Sequence, residues 1–300
     1  MNFIFVIVLS INFFSGLSLA QLGPFDCKIS GPVANLYKGT DTETTLVTND
    51  TKFDKTKPTF FIIHGWIEDS TKEEYPEMTR DLYLETQGNI ILVDYRELSH
   101  EFYTCAWIMV IDVGEYLTQF VLERIQNGDM HQNNIHIIGH SLGAEIGGYV
   151  GRKVKDKTNI KIKRISALDT AGPMFSFLVL PLPFISLTAR DAEVVDAIHT
   201  SMFMGTLRRV GKVDFFVRGI FGLPTLSAPC GIFSLICNHS LSKFLFRESI
   251  RSCGIIASNW IYWSDKIVYG FHMPLNASGI YNFSPNAKPP YGTGNITCAN

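Results

Sequence analysis

A serine between two glycines offers the clearest chemistry in the sequence. Ser141 lies between Gly139 and Gly143, after three isoleucines within residues 135–138 and before the helix-compatible segment 144–154. This order predicts a buried strand, a sharp turn and a helix. The turn needs glycine on both sides because a strained serine backbone brings strand and helix too close for side chains. The pattern predicts a nucleophile at a helix N-terminus, whereas the alternative is a glycine-rich turn with an uninvolved serine.

A serine hydroxyl is a weak nucleophile and needs a histidine base that a carboxylate orients. On an α/β-hydrolase scaffold the partners follow in the order serine, acid, histidine, which leaves His199, His239 and His272. His199 ends an apolar run and His272 lies among aromatic residues, so both favour structural roles. His239 follows Cys237 by two residues and opens a predicted helix, where a disulfide would hold its backbone. We predict His239 as the base.

The acid must come from the carboxyl end of a strand, where such sheets carry their functional residues. Asp169 ends the predicted strand 162–168 and satisfies this condition. Asp196 lies inside the next predicted strand and Asp214 precedes two phenylalanines, so both favour structural hydrogen bonds. The predicted triad is therefore Ser141, Asp169 and His239.

Strand-like and helix-like segments alternate along the chain, which predicts an α/β fold with a mostly parallel central sheet flanked by helices. Besides the strand before the serine, the predicted strands are 59–63, 89–93, 162–168 and 194–198, and the predicted helices are 73–86, 113–125, 144–154 and 240–250. The region 215–236 is predicted to form loops. No repeat or linker is visible, so a single domain is the simplest division.

Composition narrows the class of protein. The chain has 300 residues, 46% of them hydrophobic, which is ample for a core. The formal net charge of −2 gives no reason to expect a nucleic-acid partner. Residues 1–20 are apolar and end in Ser18-Leu19-Ala20, a small-x-small pattern that predicts a cleaved signal peptide and a secreted mature domain over 21–300. A membrane anchor is the alternative, and no later segment is expected to span a bilayer.

Six cysteines fit a secreted protein and predict three disulfides, with several pairings open. No Cys-x-x-Cys pair is present, so neither a metal nor another cofactor is expected. Glycosylation sequons occur at Asn49, Asn276, Asn282 and Asn295, and a fifth, at Asn238, is expected to be unused beside the predicted base.

Several motifs in order along the chain resemble the pancreatic-lipase family of secreted α/β-hydrolases. The resemblance rests on His64-Gly-Trp66, Val93-Asp-Tyr-Arg96, Gly139-His-Ser-Leu-Gly-Ala144, Ala167-Leu-Asp-Thr-Ala-Gly-Pro173, Ile198-His-Thr200, Val213-Asp-Phe-Phe216 and Cys237-Asn-His239. It implies the same triad and an oxyanion hole formed by the backbone amides of Trp66 and Leu142. Two positions depart from the family: Thr170 replaces a usual proline and Leu241 a usual arginine.

The resemblance also implies three disulfides, Cys27–Cys105, Cys230–Cys237 and Cys253–Cys298. The second pair closes a lid of six residues, too short for the helical flap of triglyceride lipases, and the loop 199–214 is also short. This combination is similar to the insect and venom phospholipase A1 branch, which implies removal of the sn-1 acyl chain of phospholipids. The alternatives are a triacylglycerol lipase or galactolipase with the same triad, and a non-catalytic lipid-binding or yolk-type protein.

The expected partner is a lipid substrate at a membrane or micelle surface. Apolar residues of the lid and of the preceding loop could touch lipid, or could instead pack on the domain: Phe221, Leu223, Ile232, Phe233, Leu235 and Ile236. Because the sequence reaches only Asn300, neither a C-terminal sandwich domain nor a colipase-like partner is expected.

Overall fold

One sheet holds every strand in the described part of the computed structural model, which comprises residues 27, 31–173, 175, 186–218, 230, 234–292 and 298. The predicted signal peptide, the sequon at Asn295 and the predicted lipid contacts at Phe221, Leu223, Ile232 and Phe233 lie outside the described residues. The division into a signal peptide and one domain therefore stays a prediction.

The centre of the sheet is parallel. In chain order the strands are β1 (Asn35–Gly39), β2 (Thr44–Leu46), β3 (Thr59–Ile63), β4 (Asn89–Asp94), β5 (Ile135–His140), β6 (Arg164–Leu168), β7 (Val194–His199), β8 (Val213–Val217), β9 (Ile256–Asn259), β10 (Lys266–Val268) and β11 (Gly279–Phe283). Across the sheet they run β10-β9-β11-β8-β7-β6-β5-β3-β4-β1-β2. The neighbours from β11 to β4 pair parallel, and the pairs at both ends are antiparallel.

Helices cover both faces of this sheet. They are α1 (Glu74–Thr86), α2 (Arg96–Ser99), α3 (Tyr103–Gln126), α4 (Leu142–Thr158) and α5 (Leu235–Arg251). Phe61 and Ile63 of β3 join the core on the α3–α4 face, whereas Phe60 and Ile62 join the core with α1 and α5. Burial on both faces explains why the central strands are continuous apolar runs. The predicted α/β fold with a mostly parallel sheet is confirmed.

Three predicted boundaries were wrong. Helix α3 begins at Tyr103 rather than at position 113, and α5 begins at Leu235, inside the region predicted as loops. That region also contains part of β8, because Phe215 pairs with both β7 and β11. A strand of five residues is too short for hydrophobic periodicity to separate it from a loop.

Helix α3 also corrects the expectation that no segment after the N-terminus could span a bilayer. Among the described helices, it alone is long and apolar enough to do so, judged by length and composition. Half of that stretch is buried inside the protein. It packs beside α4, and Cys105 in its first turn is bonded to Cys27. These contacts are those of a core helix.

The three disulfides join the pairs that the family resemblance implies: Cys27–Cys105, Cys230–Cys237 and Cys253–Cys298. The described residues include no free cysteine. This degree of crosslinking is typical of proteins that fold in an oxidising compartment.

Candidate active site

Ser141 occupies a strained turn between β5 and α4. Its φ of 55° lies in the left-handed region, which side-chain-bearing residues rarely adopt. A Cβ atom at position 139 would lie 2.3 Å from the carbonyl oxygen of Gly143, and one at position 143 would lie 2.3 Å from that of Ile63. Only glycine fits at either position. The turn therefore places one serine at the end of a strand, where Ser141 is 5% exposed.

Asp169 leaves the neighbouring strand at the same edge of the sheet. The parallel register pairs His140, the last residue of β5, with Leu168, the last residue of β6. Ser141 and Asp169 each follow one of these paired residues, and the Ser141 amide donates to the Leu168 carbonyl at 3.0 Å. The register alone brings serine and acid together.

The carboxylate of Asp169 holds the imidazole of His239. The His239 Nδ1 atom lies 2.6 Å from Asp169 Oδ2, and the aspartate is completely buried. Its Oδ1 atom accepts hydrogen bonds from the amides of Thr200 at 2.7 Å and Ser201 at 3.1 Å. The Ser201 hydroxyl donates to Oδ2. With Nδ1 committed to the acid, Nε2 is the ring nitrogen that remains for a substrate or a nucleophile.

His239 lies beside the serine turn. Its ring centroid is 4.6 Å from that of His140, the residue before Ser141, and its carbonyl oxygen is 3.2 Å from His140 Nε2. The prediction that His239 opens a helix was wrong. The histidine lies within α5, which begins at Leu235. The Cys230–Cys237 disulfide links the chain before α5 to the turn that carries the histidine. The structure thus brings Ser141, Asp169 and His239 to one place.

Trp66 and Leu142 flank the serine on two sides. Leu142 is the first residue of α4, where backbone amides have no partner within the helix. The loop after β3 approaches from the other side, because a Cβ atom at position 65 would lie 2.9 Å from the Ser141 Cβ. Trp66 follows directly, and its indole Nε1 donates to the Glu101 carbonyl at 2.9 Å. The oxyanion role that the family resemblance implies for the amides of Trp66 and Leu142 stays a prediction.

Two sequence motifs fix this loop by contacting each other. The His64 ring stacks on the Tyr95 ring with centroids 4.1 Å apart, and the Tyr95 hydroxyl donates to the His64 carbonyl at 2.7 Å. Asp94 receives hydrogen bonds from Ser70 and Arg96. Burial alone would raise the pKa of Asp94, but its hydrogen bonds to His64, Arg96 and Ser70 hold that pKa far below its usual range.

Glu68, a partly buried carboxylate that the sequence analysis did not single out, lies beside the triad. Glu68 accepts hydrogen bonds from the Gly65 amide at 2.8 Å and from the Tyr75 hydroxyl, and its Oε2 lies 2.8 Å from His140 Nδ1. Its other oxygen accepts from the ammonium of Lys243, which is 2% exposed. Burial alone would raise the pKa of Glu68, but the contacts with His140 and Lys243 hold it well below its usual range.

The other candidates have structural partners. The fully buried His199 has Nδ1 2.7 Å from the Thr206 carbonyl and Nε2 3.1 Å from Asp214 Oδ1. His272 Nε2 lies 2.8 Å from the Ile250 carbonyl. Asp196 pairs with Arg164 at 2.7 Å.

The two family departures, Thr170 and Leu241, are both buried. They flank the candidate acid and base in sequence, since Thr170 follows Asp169 and Leu241 lies two residues after His239. In the described residues, the Thr170 hydroxyl has no hydrogen-bond partner. Leu241 is 2% exposed and belongs to the core on the α1–α5 face of the sheet.

Within the described part of the chain, one cluster has the composition of a metal site: Cys253, His272 and Cys298. The two sulfur atoms are joined in a disulfide, so neither can act as a thiolate ligand. This cluster does not fit a metal ion.

The sequons differ in accessibility. Asn49 and Asn276 are exposed, as a glycan requires, whereas Asn238 is buried on α5. Asn282 is also buried, within β11, so the expectation of a glycan there does not fit the folded structure.

A serine turn after β5, an acid after β6 and a later histidine, in this chain order on a parallel sheet, define the α/β-hydrolase arrangement. The sequence model of the lipase family matches residues 34–257, and the chain belongs to that family.

The chain is similar to several wasp proteins. The probable phospholipase A1 magnifin of Vespa magnifica is 32% identical over 203 residues, 65% of this chain and 59% of that protein. Phospholipase A1 2 of Dolichovespula maculata is 33% identical over 200 residues, 64% of each chain. The chain thus spans less than two thirds of the length of these relatives.

Among solved structures, the α/β-hydrolase MGS-M1 from a deep-sea metagenome is 14% identical to this chain. The match covers 64% of this chain and 72% of that one, with a TM-score of 0.33. This TM-score is too low to add to the description of the fold.

Proposed function

We propose that this protein is a secreted serine hydrolase that removes the sn-1 acyl chain of phospholipids. One observation carries the proposal: Asp169 holds His239 at 2.6 Å beside the strained serine turn of a lipase-family chain. The similarity to wasp proteins named phospholipase A1 supports the choice of substrate. Three disulfides and the predicted signal peptide support secretion.

The arrangement supports acyl transfer in two steps. The Ser141 hydroxyl attacks the sn-1 ester carbonyl while His239 takes its proton, and Asp169 stabilises the resulting imidazolium. The amides of Trp66 and Leu142 hold the negative oxygen of the tetrahedral intermediate. The ester C–O bond then breaks, and His239 returns the proton to the departing lysophospholipid oxygen. Water, activated by the same histidine, hydrolyses the acyl-serine and releases the fatty acid.

The short lid supports a phospholipid over a triacylglycerol. The bonded cysteines Cys230 and Cys237 are only seven positions apart, and α5 already begins at Leu235 between them. No segment of this length forms a long flap over the cleft. An open cleft leaves room for a polar headgroup beside the acyl chain.

Exposed apolar side chains on the segments that carry the site support binding at a lipid surface. Ile67 follows Trp66 and is 51% exposed, Phe203 lies in the loop after Ser201 and is 60% exposed, and Ile236 precedes His239 by three residues and is 76% exposed. We call Ile67, Phe203 and Ile236 the apolar rim. A contiguous group of exposed apolar side chains is typical of an interaction surface, and we infer that the apolar rim forms one.

The proposal is tested by assaying phosphatidylcholine and a long-chain triacylglycerol at matched interfacial area, with and without a chelator. We expect faster cleavage of phosphatidylcholine and no effect of the chelator, because every step uses side chains and backbone amides. A clear preference for triacylglycerol would favour the lipase alternative. A folded protein that hydrolyses neither lipid would favour the non-catalytic alternative.

A further inference from the structure

Three segments that carry the candidate catalytic groups meet at one carboxylate, Glu68, whose side chain is 13% exposed. The first is the loop after β3, whose Gly65 amide donates to Glu68 Oε2 at 2.8 Å. The second is the serine turn, where His140 Nδ1 lies 2.8 Å from the same oxygen. The third is α5, where Lys243 donates to Glu68 Oε1 one helical turn after His239. The His140 ring, which lies on the serine turn itself, contacts the other two segments as well.

The contacts continue from Glu68 to the groups that would react. Gly65 precedes Trp66, whose amide is the candidate oxyanion donor, and His140 precedes Ser141. His140 also reaches the base helix, since its Nε2 lies 3.2 Å from the His239 carbonyl oxygen. A shift of Glu68 would therefore move donor, nucleophile and base relative to one another.

Charge makes these contacts strong. Lys243 is 2% exposed and is also 3.2 Å from Glu74, so its ammonium is held between two carboxylates. Hydrogen bonds between ionised groups in a buried setting are stronger than neutral ones. The Tyr75 hydroxyl adds a further donor to Glu68 from α1.

We propose that Glu68 is a positioning residue for ester hydrolysis, which keeps the oxyanion loop, the serine turn and the base helix aligned. The proposal rests on the function proposed above. Glu68 contacts none of the triad side chains directly. It is linked to them through His140 and the backbone, so we expect it to affect their alignment. Misalignment of reacting groups by about 1 Å costs roughly 100-fold in rate.

The test uses Glu68→Ala combined with Lys243→Met, which removes the carboxylate without leaving a buried ammonium unpaired. The substrate is 4-nitrophenyl butyrate, a soluble ester that avoids effects of lipid binding. We expect kcat to fall by about 10- to 100-fold with KM within about twofold, because alignment matters in the transition state. The rate at which a phosphonate labels Ser141 should fall in parallel.

A matched control is the buried ion pair of Arg164 and Asp196, joined at 2.7 Å between β6 and β7 and remote from the serine turn. The variant Arg164→Met with Asp196→Ala removes a comparable pair. We expect it to lower the thermal midpoint while kcat of the folded protein stays close to that of the wild type.

If the Glu68 double variant does not fold, Glu68→Asp replaces it, because this change keeps the charge but withdraws the carboxylate by one methylene. We then expect kcat to fall about tenfold with KM unchanged. Unchanged kcat in a folded Glu68 variant, or an equal fall in the control, overturns the inference while the proposed function stands. A wild-type protein that hydrolyses neither this ester nor phosphatidylcholine contradicts the proposed function itself.

Discussion

Among the histidines near the carboxyl edge of the sheet, His239 and His199 have partners that suit them to different roles. The Nδ1 atom of His239 is hydrogen-bonded to Asp169, and the histidine side chain is 8% exposed. His199 has both ring nitrogens within hydrogen-bond distance of Thr206 and Asp214, and it is fully buried. The first arrangement fits the proton transfer that we propose for His239, whereas the second fits a structural role for His199.

Alanine variants of the two histidines should therefore behave differently. We expect His239→Ala to lower kcat by about 10⁴- to 10⁶-fold on phosphatidylcholine without loss of fold, as for removal of a triad base. We expect His199→Ala to leave kcat of the folded protein near the wild-type value while lowering the free energy of unfolding by about 1–3 kcal/mol, because two buried partners lose their hydrogen bonds. Kinetics and urea unfolding on both variants distinguish these outcomes. Exchange of the two phenotypes would show that the base is His199.

For single residues, the sequence identifies a candidate when the adjacent residues in the chain form a recognisable pattern. The serine turn has its glycines, and Asp169 follows a recognisable strand. Ser201, Glu68 and Lys243 have no such signal, because they contact the site through the fold. Glu68 and Lys243 are 175 positions apart in sequence, and only the packing of α5 against the loop after β3 brings them together.

Helix α4 carries a buried acid one turn after the serine. Glu145 is 2% exposed and its Oε2 accepts from the Leu187 amide at 2.6 Å. Burial raises the pKa of this carboxyl to about 8, against the opposing effect of the Leu187 hydrogen bond. The carboxyl is therefore neutral in the folded protein at neutral pH.

This acid should make stability depend on pH. The unfolded carboxyl ionises near a pKa of about 4.3. The folded carboxyl keeps its proton to about pH 8. Between these values the folded state binds more protons, so the free energy of unfolding falls as pH rises, by up to ~1.4 kcal/mol per unit. We expect Glu145→Gln to remove this slope and to be more stable than the wild type at pH 8.

Urea unfolding at pH 5, 6.5 and 8 measures the effect. Glu123→Gln, an exposed position on α3, controls for the substitution itself. If the free energy of unfolding changes with pH equally in the wild type and in Glu145→Gln, Glu145 is not the source of the pH dependence.

Elements were predicted well where a strand is buried on both faces. The predicted strands at 59–63 and 194–198 match β3 and β7 almost to the residue. Errors arose where tertiary contacts decide the structure. Helix α5 starts before Cys237 because its first turn is tied back to Cys230, and the short β8 is a strand because β7 and β11 flank it. Neither constraint is visible in a local window of sequence.

The apolar rim is a feature of the whole molecule, because its residues come from three separate segments of the chain. We expect Ile236→Ser to weaken binding to phosphatidylcholine vesicles by about tenfold, since burial of an isoleucine side chain contributes about 1.5–3 kcal/mol. Ile160→Ser is the matched control: Ile160 is 43% exposed and lies between α4 and β6, at the opposite edge of the sheet. Vesicle co-sedimentation measures both variants. Equal binding by both would show that the rim does not contact lipid.

We propose that the whole molecule is an sn-1-specific phospholipase that acts through Ser141. The most direct test is product analysis after hydrolysis of a phosphatidylcholine with different acyl chains at sn-1 and sn-2, using the wild type and Ser141→Ala. We predict release of the sn-1 fatty acid, with the 2-acyl lysophospholipid as the other product, and a fall in kcat of about 10⁶-fold in the variant. Release of the sn-2 chain, or near-normal turnover by folded Ser141→Ala, would contradict the account.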